Sequence, residues 1–199
     1  TLSVSIRDEN EAPVITSNNG NQKTVYWDEN TSTSSLVYDV NASDEDSGDY
    51  VRYSLSGGDS SSFNINSSSG RIAFRSSPDY EAKSSYQTTV RVSDGNLTDT
   101  QGLNVNIKDV NEIPTITSST TAGAINENTT SSTVIYTATG TDESAITWSL
   151  KDEFDYSKFS VDGSGNVALA SSPDYEVDGS ELKFTVRAND GTFNTDKTV

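Results

Sequence analysis

Apolar and polar residues alternate in short segments along the whole chain. The N-terminal segment Leu2-Ser3-Val4-Ser5-Ile6-Arg7 has this pattern, and Leu103-Asn104-Val105-Asn106-Ile107-Lys108 repeats it later. A period of two residues is typical of a strand with one buried face. Because no window of useful length carries a helical apolar period, the chain is predicted to be all-β.

The predicted strands are separated by turn-forming clusters such as Ser56-Gly57-Gly58-Asp59. A first series lies at residues 24–27, 35–41, 50–55, 63–66, 71–74, 86–92 and 102–107. A second series lies at residues 124–126, 134–139, 146–150, 159–161, 166–169 and 182–188. Two series of short strands with turns between them indicate two antiparallel Greek-key β-sandwiches in tandem.

The two series are copies of one repeat. The segment Asp109-Val110-Asn111-Glu112-Ile113-Pro114 has the pattern of Asp8-Glu9-Asn10-Glu11-Ala12-Pro13. We therefore expect linkers at 8–13 and 109–114 and repeats at 14–108 and 115–199. Residues 1–7 are expected to be the last strand of a preceding repeat, and the last strand of the second repeat is expected to be missing. This mismatch allows the hypothesis that residues 1–7 of one molecule complete the second repeat of another.

Composition and charge restrict the function. The 199 residues contain 30 acidic and 13 basic side chains, with a formal net charge of -17. Nucleic-acid and anionic-membrane partners are therefore not expected. Cysteine and histidine are both absent, which excludes Ser-His-Asp and Cys-His catalysis and the usual zinc sites. No apolar run has the length of a membrane span.

Five acidic patterns occur in the same order in both repeats. They are Glu29-Asn30 and Glu127-Asn128, Asp44-Glu45-Asp46 and Asp142-Glu143-Ser144, Pro78 to Glu81 and Pro173 to Glu176, Asp94-Gly95 and Asp190-Gly191, and the two linkers. With these patterns the chain resembles the cadherin family, whose repeats carry an early Glu, a D-x-D loop, a D-R-E, a late Asp and a D-x-N-D-N linker before proline. The resemblance covers essentially the whole chain.

The resemblance implies Ca²⁺ ions between successive repeats. A hard cation of this kind is held by six to eight oxygen ligands. The implied ligands at the second linker are Glu29, Asp79, Glu81, Asn111, Glu112, Asp142 and Asp190, with main-chain oxygens near Val110 and Ile113. Half of another site is implied at Asn10, Asp44, Asp46 and Asp94, with the carbonyl near Ala12. The implied ligands of a site shared with a third repeat are Glu127, Asp174 and Glu176.

The chain departs from the family pattern at four residues. Ser144 stands where the second Asp of the loop is expected, which weakens the ion site there unless Glu143 replaces it. Glu112 replaces the linker Asp, and tyrosines (Tyr80 and Tyr175) replace the Arg of D-R-E.

Other interpretations of the acidic residues are weaker. One alternative is a solvated acidic surface with turn-forming Asp and Asn residues. Turn chemistry does not explain glutamates expected on strands, namely Glu29 and Glu81. A glycosidase pair formed by Asp79 and Glu81 would be repeated at Asp174 and Glu176, whereas an active site seldom occurs once per repeat. An EF-hand at Asp44 lacks the Glu that closes a twelve-residue loop.

The sequence therefore predicts a calcium-rigidified, extracellular cell-adhesion or extender module without enzymatic activity. Its expected partners are neighbouring repeats, surface polysaccharide or another cell, and its composition favours a secreted or cell-surface bacterial adhesin. The alternative is a carbohydrate-binding module, with Tyr26, Trp27 and Tyr80 as the candidate sugar contacts. Homophilic strand swapping through an N-terminal Trp is not expected, because Trp27 is in the wrong place.

Overall fold

The computed structural model of the chain describes residues 2–46 and 50–199, so Thr1 of the predicted first strand lies outside the described residues. The chain divides into two units, Thr1–Val110 and Asn111–Val199. The boundary falls inside the predicted linker 109–114. We call the two parts unit 1 and unit 2.

Unit 1 is a sandwich of short strands. They are β1 (Val14–Ile15), β2 (Lys23–Asp28), β3 (Tyr38–Asp39), β4 (Ala42–Ser43), β5 (Arg52–Ser56), β6 (Phe63–Ile65), β7 (Arg71–Phe74), β8 (Ser85–Ser93) and β9 (Thr98–Lys108), with 3-10 turns at Ser17–Gly20 and Ser60–Ser62. One sheet has the order β2-β9-β8-β5, a second has β3-β7-β6, and β1 pairs with β4. The described pairs are antiparallel except β2 with β9, which run parallel.

The core of unit 1 lies between its sheets and follows the predicted alternation. In β9 the side chains of Leu103, Val105 and Ile107 are buried, while the residues between them are half-buried. They pack with the buried aromatic residues Phe63 and Phe74 of the facing sheet. Because alternate side chains of a strand point to opposite faces, burial of one face selects this register.

Unit 2 repeats this arrangement with shorter strands. They are β10 (Thr115–Ile116), β11 (Val134–Thr137), β12 (Gly140–Thr141), β13 (Thr147–Leu150), β14 (Phe159–Val161), β15 (Asn166–Leu169), β16 (Thr185–Asn189) and β17 (Asn194–Thr198), with a 3-10 turn at Tyr156–Lys158 and the helix α1 (Tyr175–Asp178). The sheets have the orders β11-β15-β14 and β13-β16-β17, and β10 pairs with β12. Phe159 and Phe184 meet in the core with ring centroids 4.6 Å apart.

Three predictions about strands were wrong or incomplete. The last strand of the second repeat is not missing, because β17 pairs antiparallel with β16 from Thr198 back to Asn194. Residues 124–126 form no strand, whereas their counterpart β2 pairs with the second half of β9. The described residues 2–13 carry no regular structure, so the strand expected at 1–7 is not formed there. Its origin in a preceding repeat stays a prediction.

Within the described residues, the helices are all short. None is long and apolar enough to cross a lipid bilayer.

Candidate metal centre

Each unit carries two groups of polar residues, which we call the entry group and the exit group. The entry group contains the Asn of the preceding linker and the two loops, as Asn10, Asp44, Asp46 and Asp94 in unit 1 and Asn111, Asp142, Ser144 and Asp190 in unit 2. The exit group contains three carboxylates, as Glu29, Glu81 and Asp109 in unit 1 and Glu127, Asp174 and Glu176 in unit 2. In each exit group, one oxygen from each residue lies within 4.8 Å of the others.

Glu29 is the buried centre of the exit group in unit 1. Its side chain is 3% exposed. One carboxylate oxygen accepts a hydrogen bond from the backbone N–H of Tyr80 at 2.7 Å, and the other accepts from Val110 at 2.8 Å. Asn30 follows in the left-handed region, with φ 57, which Asn tolerates better than most residues. Glu29 thus ties the end of β2 to the Pro-Asp-Tyr-Glu loop and to the linker.

The exit group in unit 2 is more open. Glu127 is exposed, and it accepts a longer hydrogen bond of 3.3 Å from the N–H of Tyr175. Asp174 caps α1 by accepting from the N–H of Glu176 at 3.0 Å. The repeated pattern therefore produces a carboxylate cluster in both units, but the unit 2 cluster is less buried and includes Asp174, whereas the equivalent Asp79 is not in the unit 1 cluster.

The entry group in unit 1 is organised by short hydrogen bonds. Asn10 donates from Nδ2 to Oδ2 of Asp94 at 2.8 Å. The backbone N–H of Glu11 donates to Oδ2 of Asp46 at 2.9 Å, and the N–H of Asp46 donates to Oδ1 of Asp44 at 3.0 Å. The linker and the D-x-D loop are thereby held together.

The entry group in unit 2 has the same bonds around the late Asp. Asn111 donates to Oδ2 of Asp190 at 2.8 Å, and the N–H of Ser144 donates to Oδ1 of Asp142 at 2.7 Å. The difference is Ser144, whose hydroxyl donates to Oδ1 of Asn111 at 3.3 Å. Where Asp46 supplies a negative acceptor, Ser144 thus supplies a neutral donor. Glu143 has a carboxylate oxygen within 4.8 Å of one of Glu112, which adds a negative charge beside the linker.

One carboxylate oxygen in each entry group is buried and has no hydrogen-bond partner among the residues that the structure describes. These atoms are Oδ2 of Asp44 and Oδ2 of Asp142, which occupy equivalent positions. A buried charged oxygen without a partner is costly, and such groups are normally paired or bound to metal. Its occurrence at the same place in both units fits a site for a hard cation.

Hydrogen bonds and repulsion act on the charges around these groups. The side chain of Asn10 and the backbone N–H groups of Asn96 and Leu97 lower the pKa of Asp94. Partial burial raises the pKa of Asp190, but bonds from Phe193, Asn111 and Thr192 outweigh it and lower the pKa overall. Conversely, desolvation and the nearby charges of Asp46, Asp8 and Glu45 raise the pKa of Glu11. Both late aspartates are therefore held in the anionic form that a cation needs.

The other predicted residues are less central. Asp79 does not join the described three-residue cluster and caps its own loop, accepting from the N–H of Ala82 at 2.9 Å. Ala12 and Ile113 are exposed linker residues, and Val110 donates its N–H to Glu29. Of the candidate sugar contacts, Tyr26 and Tyr80 are exposed. Trp27 is half-buried and packs against the core.

Sequence reasoning missed Asp109 as a candidate ligand. Its carboxylate joins those of Glu29 and Glu81. The available signal was its place as the first residue of the linker pattern, next to the end of β9.

Comparison with known proteins points to one family. Residues 23–108 match the model of the cadherin domain. The "Cadherin EGF LAG seven-pass G-type receptor 2" of Mus musculus is 29% identical over 200 residues, which cover 95% of this chain and 7% of the receptor. "Protocadherin Fat 1" of Homo sapiens is 29% identical over 201 residues, covering 96% of this chain and 4% of that protein. The chain thus spans a small part of these relatives.

Solved structures share the fold. Human protocadherin-24 EC1-2 superposes with a TM-score of 0.67 at 20% identity, covering 96% of this chain and 94% of that one. Drosophila N-cadherin EC1-4 has a TM-score of 0.68 at 21% identity, covering 96% of this chain and 49% of that one. The β-sandwich architecture predicted from the sequence is therefore confirmed.

Proposed function

From the match of residues 23–108 to the cadherin domain, we propose that this chain is a calcium-rigidified extender module of an extracellular adhesion protein. The matched family consists of adhesion domains rather than enzymes. This match supports an adhesion or extender role.

The observation that carries the proposal is the pair of buried oxygens on Asp44 and Asp142, neither of which has a hydrogen-bond partner in the described parts of the chain. Each belongs to an entry group whose other carboxylates are already held by hydrogen bonds. Calcium, when bound, supplies positive charge that neutralises such oxygens and accepts six to eight of them. Two equivalent atoms in two units make an accidental surface arrangement a poor explanation.

The chain connectivity supports placing the ions at the linker. Asp109, the last member of the exit group of unit 1, and Asn111, the first member of the entry group of unit 2, are separated by one residue. In this proposal the ligands are Glu29, Asp79, Glu81, Asp109, Asn111, Glu112, Asp142 and Asp190, with main-chain oxygens near Val110 and Ile113. Without calcium, these carboxylates repel each other and leave the linker free to bend; with calcium, the repulsion is relieved and the linker stiffens.

The proposed partners are neighbouring repeats of the same protein and a surface polysaccharide or another cell. The relatives reported above are animal proteins, so the bacterial origin expected from composition stays a prediction. A stiffened pair of repeats would hold a binding end away from the cell surface.

Calcium titration calorimetry and thermal melts test the proposal. We expect dissociation constants on the order of 10⁻⁴ to 10⁻³ M, as for other extracellular modules. Free calcium at about 100 times the dissociation constant should add about 2.7 kcal/mol to the free energy of unfolding. The variant Glu112→Ala is expected to bind at least about tenfold more weakly, because calcium affinity follows the number of charged ligands.

The control is Glu181→Ala, which removes one negative charge from a side chain that is 72% exposed and paired with Lys183. It should bind calcium as the unaltered chain does. Absence of binding heat and of thermal stabilisation in the unaltered chain would overturn the proposal.

A second candidate function, carbohydrate binding, is favoured by one observation. Tyr26 on β2 is 65% exposed, so its ring is available to stack on a sugar. If the module binds polysaccharide, retention on insoluble polysaccharides should fall several-fold in Tyr26→Ala and persist in Tyr156→Ala, a tyrosine 38% exposed in unit 2. Equal retention of both variants, or no retention of the unaltered chain on any polysaccharide, would reject this function.

A further inference from the structure

Glu143 is the middle residue of the D-x-D type loop of unit 2, a position that is not among the implied calcium ligands. In unit 1 this position is Glu45, between Asp44 and Asp46. In unit 2 the loop reads Asp142-Glu143-Ser144, so a neutral residue replaces its second aspartate. The loop of unit 2 therefore lacks one of the two carboxylates that the pattern supplies to a cation.

Unit 1 shows what the second aspartate of the loop does. The backbone N–H of Glu11, in the linker before unit 1, donates to Oδ2 of Asp46 at 2.9 Å. Desolvation raises the pKa of the Glu11 carboxyl, and the charges of Asp46, Asp8 and Glu45 raise it further, in that order. In unit 1 the second aspartate thus brings more negative charge to the linker carboxylate than the middle glutamate does.

Ser144 cannot take this role in unit 2. Its hydroxyl donates to Oδ1 of Asn111 at 3.3 Å. A hydroxyl has no charge with which to hold a cation, and here its proton is directed at the one oxygen that the Asn111 side chain offers. The second position of the loop is therefore lost as a charged ligand in unit 2.

The carboxylate of Glu143 approaches the linker instead. One of its oxygens lies within 4.8 Å of an oxygen of Glu112, the linker residue equivalent to Glu11. Carboxylates this close repel each other, and a cation relieves the repulsion. In the adjacent residue Asp142, Oδ2 is buried and has no hydrogen-bond partner within the described residues. One cation would therefore neutralise three carboxylates of unit 2 together.

We propose that Glu143 binds calcium in unit 2 in place of the missing second aspartate. The inference rests on the proposed function, because it assigns one more ligand to the same calcium site. With Asp142 and Glu143, the loop of unit 2 again supplies two charged ligands, as Asp44 and Asp46 do in unit 1. Calcium affinity follows the number of charged ligands, so this substitution preserves binding at a loop that contains Ser144.

The fluorescence of Trp148 measures calcium binding at this loop. Trp148 lines the same cleft as Asp142 and Ser144, and Trp27→Phe makes it the only tryptophan of the chain. In that background, Glu143→Gln should raise the dissociation constant for calcium at least about tenfold, because a charged ligand is lost. The matched control Glu45→Gln removes the same charge from the loop of unit 1. It should change the constant less than about twofold at physiological ionic strength, since salt screens charges outside the site.

Ser144→Asp separates a ligand from a general effect of charge. This variant restores the second aspartate and should bind calcium more tightly than the unaltered chain. Because the restored carboxylate makes the substitute unnecessary, Glu143→Gln should weaken binding less than about threefold in the Ser144→Asp background. A charge that only attracts the ion from a distance would have the same effect in both backgrounds.

Thermal melts in chelator show whether the variants fold. Glu143→Gln should melt no lower than the unaltered chain, because the side chain is exposed and lies near another carboxylate. Absence of any calcium response in the unaltered chain would overturn the proposed function and this inference together. Calcium binding that Glu143→Gln leaves unchanged, or weakens equally with and without Ser144→Asp, would overturn this inference alone.

Discussion

Replacing Glu29 with alanine is expected to lower the free energy of unfolding of unit 1 by about 3 kcal/mol. The carboxylate is 3% exposed and accepts the N–H groups of Tyr80 and Val110. Alanine would remove two part-buried hydrogen bonds to a charged group, and a hydrogen bond to a charged group contributes about 1.5–3 kcal/mol. The loss should appear without calcium, because these bonds do not require an ion.

The repeat provides a matched control. Glu127 is the equivalent residue of unit 2, but it is exposed and accepts one longer hydrogen bond. Glu127→Ala should therefore change the stability of unit 2 by less than about 0.5 kcal/mol, as is typical of surface substitutions.

Urea denaturation in chelator measures both variants separately. Each unit contains one tryptophan, Trp27 in unit 1 and Trp148 in unit 2. Fluorescence in a Trp148→Phe or a Trp27→Phe background therefore reports one unit at a time. Equal losses in the free energy of unfolding for Glu29→Ala and Glu127→Ala would show that the burial of Glu29 does not stabilise unit 1.

Replacing Asp142 with asparagine is expected to have opposite effects without and with calcium. Without calcium, the change removes a charge from an oxygen that is buried and has no partner. The free energy of unfolding of unit 2 should then rise by about 1 kcal/mol, since a buried unpaired charge is unfavourable. With calcium, the loss of a charged ligand should weaken binding by at least about tenfold, so the variant becomes the less stable protein.

Asp152→Asn is the control for this experiment. Asp152 is an exposed acid in the same unit and lies outside the entry group. Its removal should change neither the stability in chelator nor the calcium affinity appreciably. Thermal melts at increasing calcium compare each variant with the unaltered chain. The plot of melting temperature against calcium should cross that of the unaltered chain for Asp142→Asn but not for Asp152→Asn. A variant that is destabilised at every calcium concentration would show that the buried oxygen is satisfied by the protein itself.

Much of the fold was predictable because its signals are local. Alternation in 102–107 predicted the buried face of β9, and the Gly and Ser clusters predicted most turns. The failures have a common cause. Residues 124–126 have the composition of a strand but no pairing partner in unit 2, and a strand requires one. The start of β17 at Asn194 was missed because Asn194-Thr195-Asp196-Lys197-Thr198 carries no apolar alternation.

The candidate site was predictable in its residue types but not in its detailed geometry. The repetition of five acidic patterns identified the entry groups and most of the exit groups. Sequence reasoning placed Asp79 among the ligands and omitted Asp109, because both are acids in loops and their spacing does not tell which one reaches Glu29 and Glu81. It also gave no reason to expect that Ser144 donates to Asn111.

By itself, the sequence determined that this protein is a tandem pair of all-β repeats with acidic residues at repeated positions, because strand periodicity, turn residues and repetition are properties of neighbouring residues. The tertiary structure alone decided which acids are buried and which lack partners. Glu29 and Glu127 share one motif, yet one is buried and the other is exposed. Burial and hydrogen bonding depend on segments far apart in the chain, such as the parallel pairing of β2 with β9, and only the folded chain brings these together.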